Sequence, residues 1–450
     1  MADARFTLLN RTNEIGANSY LLEIGDTRMV LDAGMHPKEN GARSIPRYED
    51  LRHDSIDAII VTHSHLDHVG TLPILMRDQP SARVFMTPPT AALAEALLHN
   101  SVNVMKSQRV ELGIEEYPLF THRAIDELVP RIEPRDYEKQ FDLDWNGRVR
   151  ATFYDAGHIL GSAGIMIEGG GKRIFYSGDV HFEDHVLIRG SRFPELSNKL
   201  DALIVESTRG DTARKEGYRR QDEEERFIGD IRACLDRGGS ALVPVFAIGK
   251  TQEVLTMIHE YKGAGRLPDV PVYIGGLSTK MTIVYDKFSE TTRRMVPGFK
   301  ILRDMNPITG NRRGRRKIPK EPGCIYALSS GMMTEKTTSN GFARGFIDNP
   351  KNSLLFVGYA DPDSPGGKIR ASKNGDPIRL DADLPEVPLR CELQVYDFSG
   401  HAPRDQLLEF MQSAEAKQTI LVHGDPAASR WFADQLKGSI LPPSGKAINL

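Results

Sequence analysis

Seven residues, Thr62-His63-Ser64-His65-Leu66-Asp67-His68, put three imidazoles and a carboxylate directly behind the apolar run Ala58-Ile59-Ile60-Val61. That run has the length and β-branched content of a buried strand. Alternate residues leaving a strand can point to one side. A tight turn then lets Asp67 and His68 face the opposite half of a site. Nitrogen and oxygen donors in this density suit Zn²⁺, which takes such ligands at about 2.0–2.2 Å.

Three further positions repeat the context. His158 lies in the Gly-rich turn of Asp155-Ala-Gly-His-Ile-Leu-Gly-Ser-Ala163. Asp179 follows a predicted strand in Tyr176-Ser-Gly-Asp-Val180, and His423 follows another in Thr419-Ile-Leu-Val-His-Gly-Asp425. Loops at strand ends are where a layered scaffold offers functional side chains. The three cysteines, Cys234, Cys324 and Cys391, are far apart and form no Cys-x-x-Cys pair, so any metal must be held by His and Asp. Of the 13 histidines, His36, His53, His99, His122, His181, His185 and His259 read as loop or structural residues.

The 450 residues leave room for two or three domains at roughly 150 residues each. The first part alternates short strands, such as Ser19–Ile24, Arg28–Leu31 and Asp57–Thr62, with a helix at Pro89–Leu98. Further strands are predicted at Arg148–Tyr154, Gly164–Ile167, Arg173–Ser177 and Leu203–Glu206. From about residue 207 the texture becomes strand–helix alternation, the mark of a parallel sheet with crossover helices. After about residue 375 the β-rich texture resumes. Residues 207–374 are therefore expected to form a domain inserted between 1–206 and 375–450. No stretch approaches the roughly 20 apolar residues of a membrane span, and the N-terminus lacks a signal-peptide core, so a cytoplasmic protein with no membrane partner is expected. The formal net charge is −3, from 58 basic and 61 acidic residues, which argues against a chain coated in positive charge but not against a local nucleic-acid surface.

Asp32 in Val30-Leu-Asp-Ala-Gly34, the His63–His68 cluster, His158, Asp179 and His423 together resemble the metallo-β-lactamase fold. Val205-Glu206-Ser-Thr, Pro244-Val-Phe-Ala-Ile-Gly-Lys-Thr-Gln-Glu253, Ser329-Ser-Gly-Met-Met333, Phe398-Ser-Gly-His401 and Val422-His423-Gly resemble its β-CASP branch. That branch includes RNA-processing nucleases such as the endonuclease subunit of the cleavage and polyadenylation machinery. The resemblance runs from about Leu9 to about Asp425. It implies an α/β chain: an αββα sandwich with an inserted α/β domain carrying a parallel sheet.

The resemblance also implies roles. Two Zn²⁺ ions per chain would be held, one by His63, His65 and His158, the other by Asp67, His68 and His423, with Asp179 bridging. Asp32 would orient a ligand imidazole. Two metals suit an in-line displacement at phosphorus, with a water acidified to a hydroxide nucleophile. His401 would act as general acid toward the leaving ribose oxygen, oriented by Glu206. The expected activity is a zinc-dependent ribonuclease, endonucleolytic, in RNA processing or decay. A histidine at 423 goes with RNA-directed members, so single-stranded RNA is the favoured partner. DNA, a small phosphodiester, or a non-catalytic scaffold role are the competing readings, and a homodimer is the expected assembly. Ser329, Ser330, Gly331 and Lys250 are candidate substrate contacts, as is the basic run Asn311-Arg-Arg-Gly-Arg-Arg-Lys317.

The sequence departs from the family pattern at Arg209-Gly-Asp-Thr-Ala-Arg-Lys215, at Thr334-Glu-Lys-Thr-Thr338 and at Gly358-Tyr-Ala-Asp-Pro-Asp-Ser-Pro-Gly-Gly-Lys368. These changes bear on substrate preference and leave the metal donors intact.

Overall fold

Alternation of buried side chains decides the first layers. In the strand Tyr20–Ile24, the residues Tyr20, Leu22 and Ile24 face one core, as Val149, Ala151 and Phe153 do from the strand Val149–Asp155. Side chains two apart share a face, so each strand presents an apolar face that needs a facing sheet. The computed structural model describes residues 3–197, 199–310 and 318–450. The basic run at 311–317 lies outside them.

Contacts divide the chain into two units. The first comprises Met1–Asp184, Gly190–Arg214 and His401–Leu450. Its seven-stranded sheet has the order Ala447–Asn449, Ala4–Leu8, Tyr20–Ile24, Thr27–Leu31, Ala58–Ile60, Arg83–Met86, Ile132–Pro134. Its six-stranded sheet has the order Gln418–Val422, Ala202–Glu206, Lys172–Tyr176, Ala163–Gly169, Val149–Asp155, Gln140–Asp142. The two inner faces share one apolar core around Phe6, Tyr20, Phe85, Phe153 and Tyr176. The helices Arg404–Ala414 and Pro426–Gln435 cover the outer face of the second sheet through Leu407, Met411 and Phe432. The helix Pro88–Leu112 buries Leu93, Leu97 and Val102 and neighbours the strand Ile132–Pro134 of the first sheet. This is the expected αββα sandwich. That helix outruns the predicted Pro89–Leu98, because in its second half the buried Val102 and Met105 are outnumbered by polar and charged residues.

The second unit comprises His185–Arg189 and Lys215–Gly400. Its sheet has the order Ile308–Thr309, Val272–Ile274, Ile325–Leu328, Ala241–Pro244, Ser353–Phe356, Glu392–Val395, with every pairing parallel. Parallel neighbours require crossovers, supplied here by helices such as Arg220–Asp236, Lys250–Gly263 and Leu277–Lys287.

The domain edges differ from the expected 207–374. The strand Glu392–Val395 pairs with Ser353–Phe356, Leu393 opposite Leu354, which draws 375–400 into the second unit. At the other edge the Ser207 amide donates to the His423 carbonyl, and an ideal Cβ on Gly210 would lie 2.0 Å from the Ala428 carbonyl, so 207–214 stay with the first. Among the described residues no helix is long and apolar enough to cross a membrane.

Candidate metal centre

Parallel strands deliver their C-terminal ends to one edge. Thr27–Leu31 pairs parallel with Ala58–Ile60, and Asp32 and His63 follow them. Lys172–Tyr176, Ala202–Glu206 and Gln418–Val422 run parallel in the second sheet, and Asp179, Glu206 and His423 stand at their ends. Asp32 (φ 59) and His423 (φ 48) both adopt the left-handed backbone region, which non-glycine residues seldom occupy. Gly34 has no substitute in its place, since an ideal Cβ there would lie 1.8 Å from the Asp67 carbonyl oxygen.

Two donor groups result, and a third, Asp179 with Glu206 and His423, overlaps them. His65 Nδ1 lies 3.1 Å from both His63 Nε2 and His158 Nε2. Asp67, His68 and His423 form the second group, with His423 Nε2 3.3 Å and His68 Nε2 3.8 Å from Asp67 Oδ2. Asp179 straddles them: Oδ2 is 3.5 Å from His63 Nε2 and 3.7 Å from His158 Nε2, while Oδ1 is 3.4 Å from His68 Nε2.

These residues fit metal ions. Ligand nitrogens on a tetrahedral ion at about 2.0 Å sit about 3.3 Å apart, close to the spacing seen. One hydrogen cannot satisfy three convergent imidazole nitrogens. Asp179 Oδ1 is buried with no hydrogen-bond partner among the described residues, a costly state that a cation relieves.

Charge is banked around this edge. Burial would raise the Asp67 carboxyl, but His68 and His423 lower it to about 2. Burial opposes Asp179 likewise, and His423, His68 and His63 hold it well below the carboxylate range. Burial and the neighbouring His68 push His63 well below the ordinary imidazole value. Burial would lower the His68 imidazole, but Asp179 and Asp32 hold it well above the ordinary value; a metal ion takes the place of its proton.

Behind the donors stands a hydrogen-bonded frame. Asp32 accepts from the Thr62 amide at 2.7 Å, the Thr62 hydroxyl at 2.9 Å, His68 Nδ1 at 2.9 Å and the Tyr176 hydroxyl at 2.7 Å. The His68 ring is thus turned so that Nε2 faces Asp179 and Asp67. Asn18 donates its side-chain amide to the Asp67 carbonyl at 3.0 Å. Glu206, buried, accepts the Val180 amide at 2.7 Å and holds His401 Nδ1 at 3.0 Å. Burial would lower the His401 imidazole, but Glu206 and Asp179 leave it raised. The His401 ring lies 4.6 Å from that of His158.

All seven predicted ligands therefore converge, with Asp32, Glu206 and His401 beside them. Sequence reasoning missed Thr62, Tyr176, Asn18 and Thr208. Thr62 and Thr208 adjoin motif residues, and Tyr176 ends the strand before Asp179, which were signals to be had; Asn18 carries none. The candidate substrate residues sit in the second unit. Lys250 is buried, its ammonium bonded to Glu253 and to the Phe398 carbonyl, so it does not stand on an open surface. Ser329, Ser330 and Gly331 form the turn after the strand Ile325–Leu328, where the Ser330 hydroxyl accepts the Thr334 amide at 3.0 Å and the Ser339 hydroxyl bonds the Ser330 carbonyl at 2.7 Å.

An αββα sandwich carrying such a donor set at one edge defines the metallo-hydrolase class. Residues 12–221 match the metallo-beta-lactamase superfamily, 251–369 the Beta-Casp domain, and 386–441 the Zn-dependent metallo-hydrolase RNA specificity domain. An endoribonuclease YSH1 of Yarrowia lipolytica is 31% identical over 93% of this chain and 50% of its own length. Cleavage and polyadenylation specificity factor subunit 3 of Dictyostelium discoideum is 30% identical over 93% of this chain and 53% of its own. A transcription termination factor FttA of Methanothermobacter thermautotrophicus is 30% identical over 94% of this chain and 67% of its own. The chain belongs to the β-CASP branch of the metallo-β-lactamase superfamily. It spans about half the length of the first two of these relatives. A solved structure of a protein of unknown function from Enterococcus faecalis shares the fold, with a TM-score of 0.58 at 12% identity and full coverage of both chains.

Proposed function

We propose that this chain is a metal-dependent ribonuclease whose edge cluster holds two zinc ions and hydrolyses RNA phosphodiester bonds. The observation that carries the reading is Asp179, whose two oxygens face two separate histidine groups. His63, His65 and His158 with one Asp179 oxygen would hold the first ion. Asp67, His68 and His423 with the other would hold the second. When bound, the two ions acidify a water and neutralise charge building on the phosphoryl oxygens.

The chain's own groups do the rest. Asp32 fixes the His68 ring through Nδ1. Glu206 holds His401 through Nδ1 and favours its protonated form, which suits proton donation to a departing ribose oxygen. An RNA substrate is supported by the match to an RNA specificity domain and by relatives named endoribonucleases.

Zinc content and cleavage of end-labelled single-stranded RNA, matched DNA and a small diester test the reading. Two zincs per chain and cleavage of RNA ahead of DNA are expected. His401→Ala should keep its zinc and lose about 10²–10⁴-fold in cleavage. Asp67→Ala should lose both zinc and activity. Undiminished cleavage in both variants overturns the mechanism, and a zinc-replete wild type that binds RNA without cutting it overturns the activity. Product mapping on the labelled RNA separates internal from terminal cutting, and internal cuts are expected.

A further inference from the structure

We propose that the Thr208 hydroxyl fixes the tautomer of His423 and thereby sets the affinity of one of the two metal positions. The inference rests on the two-metal reading above and adds a positioning residue to it.

The Thr208 hydroxyl stands among three neighbours. It bonds Glu206 Oε2, lies 2.9 Å from His423 Nδ1, and lies 3.1 Å from the His423 carbonyl oxygen. Glu206 is 1% exposed and already receives the Val180 amide and His401 Nδ1. An ionised carboxylate only accepts, and a hydroxyl has one hydrogen to give. A charged acceptor makes a bond roughly twice as strong as a neutral carbonyl does. The hydrogen therefore goes to Glu206, and Thr208 turns an oxygen lone pair toward His423 Nδ1.

That nitrogen must then carry a hydrogen. Its other polar neighbour, Asp179 Oδ1 at 3.5 Å, is also an acceptor, so both surroundings select the same tautomer. With Nδ1 protonated, Nε2 is bare and points at Asp67 Oδ2, 3.3 Å away. A bare nitrogen facing a carboxylate repels it unless a cation lies between them. The backbone that carries the ring is tied to the Thr208 segment: His423 sits at φ 48 and its carbonyl accepts the Ser207 amide at 3.2 Å. Thr208 thus joins the carboxylate that orients His401 to a ligand of the Asp67–His68–His423 group. Its part in that group matches what Asp32 does for His68, from the opposite sheet.

Imidazole nitrogen resonances of the ¹⁵N-labelled, zinc-loaded full chain test this directly, with His423 assigned by its loss in His423→Gln. The Nδ1–H tautomer is expected, and a resident Nε2–H tautomer overturns the proposal. Chelator-competition titrations of zinc into wild type, Thr208→Val and Thr208→Ser give the second readout. Thr208→Val should weaken one of the two binding steps by about 10–100-fold and leave the other unchanged, and Thr208→Ser should restore it. Thr208→Val titrating like wild type, or Ser failing to restore the step, overturns the proposal. A wild type that takes up no zinc would overturn the functional reading and this inference with it, whereas a zinc-replete wild type matched by Thr208→Val would overturn this inference alone. The tautomer measurement stands if Thr208→Val does not fold.

Discussion

Asp32 spreads one buried carboxylate over donors from Thr62, His68 and Tyr176, at a backbone angle that few side chains tolerate. Asparagine is among those few, so Asp32→Asn keeps the left-handed backbone and replaces the oxygen that His68 Nδ1 shares with the Tyr176 and Thr62 hydroxyls. Zinc affinity should fall about 10–100-fold in a chelator competition. Unchanged affinity would mean that packing alone holds the ring. Gly34→Ala acts differently, because its Cβ would drive into the backbone that carries Asp67. Several kcal/mol of stability should be lost, read as a lower urea midpoint of the metal-free chain. At this scale the ligands were legible in the sequence because four of them fall within six residues and the others end apolar runs. Their partners were not. Thr208 and His423 are 215 positions apart, and nothing local marks a threonine as the residue that selects a distant tautomer.

Lys250 opens the helix Lys250–Gly263, and its place in the sequence suggested a phosphate contact. The folded element spends the charge inward. Glu253, one turn on, gathers Lys250, Arg220 and His185 around a buried carboxylate, and Lys250 also holds the Phe398 carbonyl. Burial would raise the Glu253 carboxyl, yet those three partners keep it well below the glutamate range. Removing one partner of a buried ion cluster leaves the others uncompensated. Glu253→Gln should therefore cost about 3–5 kcal/mol near neutral pH in urea unfolding. The pH dependence has a definite sign. A carboxyl depressed in the folded state binds fewer protons there than in the unfolded chain, so its stability is present above the unfolded value of about 4.3 and drains away as pH falls through the folded value. Glu253→Gln should lack that acid slope, up to about 1.4 kcal/mol per pH unit, and parallel slopes for the two proteins would refute the role. The strand Glu392–Val395 shows the same limit on reading elements from sequence. Its β texture was visible, but each of its residues is half-buried, and texture alone does not say which sheet will take it.

At the scale of the whole molecule, one chain folds two sets of cores, and the metal donors among the described residues go with one of them. The first unit has its inter-sheet core and the core beneath Leu407, Met411 and Phe432; the second has its own around Tyr326, Leu354 and Phe356. Every donor group found among the described residues belongs to the first unit. A ligand that binds only the folded state stabilises it by RT ln(1 + [L]/Kd), about 4 kcal/mol per site at a thousandfold excess over Kd. Two occupied sites should thus weigh heavily on the first unit and leave the second untouched. Removing the buried cations also returns Asp179 to an unsatisfied carboxylate among imidazoles, which adds to the loss. Thermal unfolding of the full chain with zinc and with chelator should then separate into two transitions. Chelation should move one downward by about 10 °C or more and hold the other in place, since 1 kcal/mol shifts a domain of this size by about 2–4 °C. Tyrosine 326 and Tyr273 stack within the second unit and Tyr20 and Tyr176 pack edge-to-face within the first, so near-ultraviolet dichroism carries a signal from each. A single transition that moves as a whole would show instead that the two sets of cores unfold together, and chelation that moves neither transition would show that the donor cluster holds its shape without an ion.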